Sequence, residues 1–178
     1  MPQEDKKFEE LFLPFVESLF SFAYHLTRQE EDAQDLVQET LLKAFKSIDT
    51  FQRDANPKAW LFSMLKNSYI NAYRKKKRLP KEVNFEDKIE LPDATDLREE
   101  IFDSLLDDEV TRAIYQLSDT YRITLLLSDL EDFSYEEIAE ILKLPMGTIR
   151  SRLFRARKML RENLKKYALS KGIKDKST

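Results

Sequence analysis

The tightest constraint on this chain is the stretch from Phe133 to Asn163, FSYEEIAEILKLPMGTIRSRLFRARKMLREN. Ser134 followed three residues later by Glu137 is a capping box, in which each side chain satisfies a free backbone N–H at a helix start. Ile138, Ala139, Ile141 and Leu142 supply an apolar side. The spacing predicts a helix that stops at Leu144-Pro145, because proline disfavours helical geometry in the residue before it and lacks an N–H. Pro145 suits the first turn of a second helix. There Ile149, Leu153, Ala156, Leu160 and Leu164 recur at spacings of three and four and predict one buried stripe. Arg150, Arg152, Arg155, Arg157, Lys158 and Arg161 fall on the other faces. Two helices, a tight turn and a basic second helix make a helix-turn-helix of the kind that reads DNA. The competing reading is an ordinary helical hairpin with a solvated basic face. The capping box, the Pro-Met-Gly turn and the clustered arginines, all in the order DNA reading requires, favour the first. Many such turns place glycine where this one has Lys143.

The rest of the chain reads as all-α. It holds two glycines and six prolines in 178 residues, and no segment alternates polar and apolar residues over a strand's length. The absence of cysteine removes disulfides, thiolate metal sites and cysteine nucleophiles together. The single histidine, His25, has nothing near it to complete a triad or ligand set and reads as structural. No catalytic residue, metal or cofactor is expected. The polar start MPQEDKK precedes no signal-like run, and nothing approaches a membrane span, so a cytoplasmic, soluble protein is expected.

The net charge of −3 hides blocks. Residues 1–55 carry 6 basic and 12 acidic side chains, and residues 56–81 carry 8 basic and none acidic. Residues 82–142 carry 4 basic and 19 acidic, and residues 143–178 carry 12 basic and 2 acidic. Two basic blocks around an acidic one fit two contacts with one polyanion, held apart by a segment the polyanion repels.

Phe8, Leu11, Phe12, Phe15, Leu19, Phe22, Ala23 and Leu26 keep a helical period that Pro14 breaks or kinks. Next, Ala33, Leu36, Val37, Thr40, Leu41, Ala44 and Ile48 predict a buried stripe, while Asp35, Gln38, Glu39 and Leu42 fall on another side. Leu42 fits both an anchor for a partner inside a polar rim and a residue edging the core; spacing does not choose. After a polar loop, Asn56-Pro57 reads as cap plus first helical residue. In the helix that follows, Leu61, Met64, Leu65, Ser68 and Ala72 make an apolar stripe, and Trp60, Asn67, Asn71, Arg74 and Arg78 line another face. Aromatic, amide and guanidinium groups on one ridge suit opened nucleic acid, through stacking, base-edge bonds and phosphate contacts. A core tryptophan with a solvated KKKR tail is the alternative. Residues from about Leu79 to Thr95 read as an acidic linker without helical period. Helix is expected to resume near Asp96, with Val110, Ala113, Ile114 and Leu117 on one face and a Ser118-Asp119 cap before a short buried helix.

With both basic helices placed, the chain resembles a bacterial alternative sigma factor of the extracytoplasmic-function (ECF) type. The likeness runs over residues 8–167 and rests on three motifs in order: DAQDLVQETLLKAF, NPKAWLFSMLKNSYINAYRKKKR and SYEEIAEILKLPMGTIRSRLFRAR. It implies two small helical domains, a sigma region 2 domain over residues 5–79 and a region 4 helix-turn-helix domain over residues 102–168, joined by a flexible acidic linker over residues 80–101. Asp35, Gln38, Glu39 and Leu42 would dock on the clamp helices of the RNA polymerase largest subunit, and the region 4 domain on the beta-subunit flap. Phe51, Arg53, Asp54 and Asn56, with Trp60, Asn67, Asn71, Arg74, Lys75 and Arg78, would capture a flipped base of the minus-ten element and hold nearby phosphates. The loop sequence QRDAN departs from a commoner glycine-containing version. Pro145, Gly147, Thr148, Arg150, Ser151, Phe154 and Arg155 would read the minus-thirty-five element in the major groove. The partners implied are core RNA polymerase, promoter DNA and an anti-sigma factor that holds the protein in check, in the cytoplasm or at the membrane, with no insertion of this chain. Two rivals stand beside this reading: a sigma-like decoy that never initiates transcription, and a DNA-processing enzyme with a terminal helix-turn-helix. The decoy should lack the basic ridge and the reading residues, both present here, and no arrangement around a serine or tyrosine nucleophile stands out for the enzyme.

Overall fold

The structure, a computed structural model, describes residues 2–77, 108–170 and 172. Every regular element among them is helical, and the chain divides into two compact units. The acidic linker expected over residues 80–101, the helix expected to resume near Asp96, and Arg78 lie outside the described residues. No helix among the described residues is long and apolar enough to cross a membrane.

In the N-terminal unit Pro14 divides the first apolar stretch as its chemistry requires. Helix α1 (Pro2–Phe12) gives way to a 3-10 turn at Leu13–Phe15, and α2 (Val16–Thr27) follows. Helix α2 ends at Arg28, whose φ of 58° is left-handed and whose N–H donates to the Tyr24 carbonyl at 2.8 Å. Helix α3 (Glu30–Lys46) opens on Glu30, Glu31 and Asp32, set against the positive end of its dipole. Its buried side is Ala33, Leu36, Val37, Thr40 and Ala44, with Leu41 half-buried. The Thr40 hydroxyl, fully enclosed, donates to the Leu36 carbonyl at 2.7 Å, so its burial leaves no unmet polar group. Helix α4 (Pro57–Lys77) receives α1, α2 and α3 on its early turns. Phe12, Leu19, Phe22, Leu61, Phe62 and Leu65 form the centre of this core.

Helix α4 departs from its expected stripe for that reason. Leu61, Leu65 and Ser68 are buried and Met64 half-buried, as the spacing predicts, yet Phe62 and Lys66 are buried too, and Ala72 is exposed. Neighbours on more than one side widen the buried arc of the first three turns, and beyond Ser68 no described residue of α4 is buried. His25 is enclosed in the last turn of α2.

The C-terminal unit comprises α5 (Asp108–Tyr115), α6 (Asp119–Leu125), a π-helical turn at Leu126–Leu130, the start of α7 (Tyr135–Leu142, of which Ala139 onward groups with the other unit) and α8 (Met146–Ser170). Helices α5 and α6 both pack on α8. Ala113, Ile114 and Leu117 are buried as their period predicts, and Ile123, Leu125, Leu126 and Leu127 complete the adjoining core. Ser118 occupies the cap position of α6, but its side chain makes no cap bond. Asp119 instead turns inward and pairs with the buried Arg122, whose guanidinium lies 5.8 Å from the centre of the Tyr115 ring. Beyond α6 the ladder widens: the Glu131 N–H donates to the Leu126 carbonyl and that of Phe133 to Leu127, each at 3.0 Å. No residue type announces such a turn, and none was expected here.

Candidate nucleic-acid interface

The capping box predicted at Ser134 is formed. The Ser134 N–H donates to Glu137 Oε2 at 2.8 Å, and the Glu137 N–H donates to Ser134 Oγ at 3.1 Å. Helix α7 closes two residues before the expected stop, at Leu142, because Lys143 takes a left-handed conformation with φ of 54°. That backbone state is the usual way to end a helix, but glycine normally supplies it. The Pro145 carbonyl then accepts the Thr148 and Ile149 N–H groups at 3.0 and 3.1 Å and starts α8.

Helix α8 separates its faces sharply. Ile149, Leu153 and Ala156 are sealed in the core, while Leu160 and Leu164 are half-buried. Of the residues expected to read the upstream element, Pro145, Gly147, Arg150, Ser151, Phe154 and Arg155 are exposed and Thr148 is half-buried. Phe154 is 71% exposed, a large ring turned to solvent with no core to serve. Gly147 has open space where a Cβ would sit, so nothing in the fold demands glycine there.

Arg157 is tied into the fold by a set of hydrogen bonds. Its Nε and Nη2 donate to the two carboxylate oxygens of Asp129 at 3.2 and 2.7 Å, Nη1 to the Tyr135 hydroxyl at 3.2 Å, and Nη2 also to Ser128 Oγ at 3.2 Å. The bonds to Asp129 first, then to Tyr135, hold the guanidinium still more firmly protonated than usual, against the opposing effect of burial. Arg157 therefore clamps α8 to the π-turn and to the start of α7. Its place in a run of arginines concealed this from sequence reading. Beside it Tyr135, Arg150, Phe154, Lys158 and Arg161 complete the lining of an open concavity of about 520 Å³. Arg150 and Phe154 were expected at an interface; Tyr135, Lys158 and Arg161 join them only in three dimensions.

In the N-terminal unit the second expected surface is of mixed construction. Asn56 caps α4, its Oδ1 accepting the Ala59 N–H at 3.2 Å, as predicted. Arg53, Asp54 and Asn56 are exposed on the loop, and Asn67, Asn71 and Lys75 are exposed along α4, with Arg74 half-buried. The aromatic members stand differently. Phe51 is 7% exposed. Its ring centre lies 5.5 Å from that of Phe12 and 5.1 Å from that of Trp60. Trp60 is half-buried and stacks on Phe12 at 5.3 Å. Both rings pack against one another and against Phe12 beneath the loop, so Trp60 does not stand as a free ring on an open ridge and Phe51, expected in the loop pocket, is turned toward the core.

The face of α3 expected to meet a protein partner is solvent-facing. Leu42 is 54% exposed, which excludes its reading as core edge, and Asp35, Gln38 and Glu39 are exposed around it. Lys43 Nζ bridges Glu39 at 2.5 Å and Ser68 Oγ at 3.0 Å, linking this face to α4. Phe45, three residues beyond Leu42 and 39% exposed, enlarges the apolar spot; its ring packs edge-on against Phe8 at 5.4 Å. Spacing had assigned it to neither side.

Comparison with known proteins agrees with this geometry. Residues 11–79 match the family model of sigma-70 region 2, and residues 107–160 that of sigma-70 region 4. The chain is 38% identical over 167 residues to the ECF RNA polymerase sigma factor EcfG of Rhodopseudomonas palustris, covering 90% of this chain and 86% of that one. It is 32% identical over 161 residues to the ECF RNA polymerase sigma factor SigE of Mycolicibacterium smegmatis, covering 90% of this chain but 62% of that longer relative. Among solved structures, the sigma factor RpoE in complex with the anti-sigma factor NepR from Bartonella quintana is similar at a TM-score of 0.71 and 34% identity, over 90% of this chain and 98% of that one.

Proposed function

The chain belongs to the ECF sigma factors of the sigma-70 family, alternative sigma factors that initiate promoter-specific transcription, and on that premise we propose how its residues divide the work. The region 2 domain, assigned to residues 5–79, docks on the clamp helices of core RNA polymerase through Asp35, Gln38, Glu39 and Leu42. It engages the minus-ten element with its loop and α4. The region 4 domain, assigned to residues 102–168, meets the beta-subunit flap and reads the minus-thirty-five element with Pro145, Gly147, Thr148, Arg150, Ser151, Phe154 and Arg155. Arginine bonds guanine bidentately, the Phe154 ring meets a thymine methyl, and the α8 N-terminus faces phosphate. The observation that carries this reading is the outward face of α8, where Arg150, Phe154 and Arg155 are exposed opposite a stripe that is sealed in the core.

At the minus-ten element, unstacking a base costs a few kcal/mol. With Phe51 and Trp60 engaged beneath the loop, the return comes chiefly from polar groups: Arg53, Asp54 and Asn56 around the base, and Asn67, Asn71, Arg74, Lys75 and Arg78 along the strand. None of these steps needs a catalytic residue in this chain, since the polymerase performs the synthesis. The protein acts in the cytoplasm, and by likeness to the Bartonella quintana complex its free pool is held by an anti-sigma factor. Run-off transcription with core polymerase tests the assignment: the protein should direct defined starts, and binding to the polymerase without initiation would identify a decoy instead.

A further inference from the structure

The concavity on the outer side of α8 holds groups that reading a duplex element leaves unused. Phe154, Arg157, Lys158 and Arg161 follow Arg150 at helical spacing and share one face of α8, and Tyr135 closes the space from the start of α7. All six belong to one compact unit. The space, about 520 Å³, is of the size that holds a small ligand. No carboxylate lines it. Asp129, bidentate to Arg157, already balances that charge. Arg150, Lys158 and Arg161 are exposed and form no ion pair or hydrogen bond with any described side chain, so three positive charges line the space uncompensated. The Tyr135 hydroxyl accepts a bond from Arg157 Nη1, which leaves its own hydrogen to donate. Among these residues only Arg150 and Phe154 belong to the set assigned to the upstream element.

We propose that this concavity binds a small aromatic polyanion of the nucleoside polyphosphate class and that the bound ligand keeps the upstream element off α8. The base stacks on the Phe154 ring, and the phosphates meet Lys158, Arg161 and the Tyr135 hydroxyl. Arg161 lies seven residues beyond Phe154, about 10 Å along the helix axis, which gives room to separate a base from its phosphate chain. Bases in a duplex are already stacked on one another and cannot offer a face to Phe154, whereas a free nucleotide can. Arg157, held by Asp129, serves as a fixed wall. A nucleotide seated here covers Arg150 and Phe154. The exclusion of DNA therefore rests on the α8 assignment made above, while the binding itself does not. The rival reading is that Lys158 and Arg161 are solvated cations that only add to the general attraction for DNA.

The test uses the full chain without polymerase, which takes nucleotides as its own substrates. Calorimetric titration with ATP should show a single saturable site, and adenosine and inorganic triphosphate, the two halves of the probe, should each bind at least about tenfold more weakly. Lys158→Ala and Arg161→Ala should each weaken ATP binding about tenfold. Phe154→Ala should do the same, and Phe154→Tyr, which keeps a ring, should restore it. Lys166→Ala removes a charge from an exposed position of the same helix outside the concavity and should leave ATP binding unchanged. Absence of saturation, triphosphate binding as tightly as ATP, or equal losses from Lys166→Ala and Lys158→Ala would each overturn the proposal. ATP should also displace a duplex taken upstream of a transcription start mapped after overexpression of this protein, with Arg155→Ala as the control for the underlying reading. If Arg155→Ala weakens the duplex and ATP does not bind, only the nucleotide site fails. If ATP binds with the expected pattern of variants, yet neither ATP nor Arg155→Ala affects the duplex, the nucleotide site stands and the α8 assignment fails.

Discussion

The two units expose positive and hydrogen-bonding groups by opposite constructions. In the C-terminal unit one helix carries both, with its core stripe and its exposed basic face on opposite sides of α8 and little shared between them. In the N-terminal unit the polar loop residues Arg53, Asp54 and Asn56 rest on Phe51, Trp60 and Phe12, so the candidate surface and the core are made partly of the same residues. The lesson is that surface function and stability are separable on α8 and entangled at the loop.

The largest effect should come from reversing Arg74, Lys75, Lys76, Lys77 and Arg78 to acids. Affinity should fall for every promoter, and the slope of log K against log salt should flatten by about 3 to 5; an unchanged slope would remove the phosphate role from this run. Next, Phe51→Ala should destabilise the N-terminal unit by about 3–5 kcal/mol. Phe154→Ala, a loss of similar bulk from an exposed site, should leave unfolding within about 0.5 kcal/mol of wild type. Thermal melts of the two variants decide whether the contrast between the units holds, and equal losses would break it. Arg155→Ala should remove about 1–3 kcal/mol of discrimination at one position of the upstream element, measured by competition between matched and substituted duplexes, with no change at the minus-ten element. Smallest, Ser134→Ala should cost about 1 kcal/mol of helix stability, confined to amide exchange in the C-terminal unit.

Much of this was legible because it depends on local chemistry. A proline without an N–H splits α1 from α2, an asparagine oxygen starts α4, and a serine and a glutamate start α7. The exposed face of α8 was legible for a related reason: a regular helix with one sealed stripe leaves no ambiguity about what points away. Three features were not readable. Spacing placed Trp60 on a ridge, but tertiary contacts with Phe12 and Phe51 decide which way a large ring is used. Arg157 looks like its neighbours in the sequence, and only partners distant along the chain, Ser128, Asp129 and Tyr135, reveal its role. The π-turn at Leu126–Leu130 has no residue signature at all.

The clamp at Arg157 has a consequence for how such a protein can change over generations. Because the orientation of α8 is secured by Asp129, Ser128 and Tyr135, the side chains at positions 150, 151, 154 and 155 are free to be exchanged without loosening the scaffold that presents them. On the proposed assignment of those positions to the upstream element, a duplicated copy would acquire a new set of target genes by swapping outward groups alone. Engineering an orthogonal version should begin at those four positions and leave the clamp untouched.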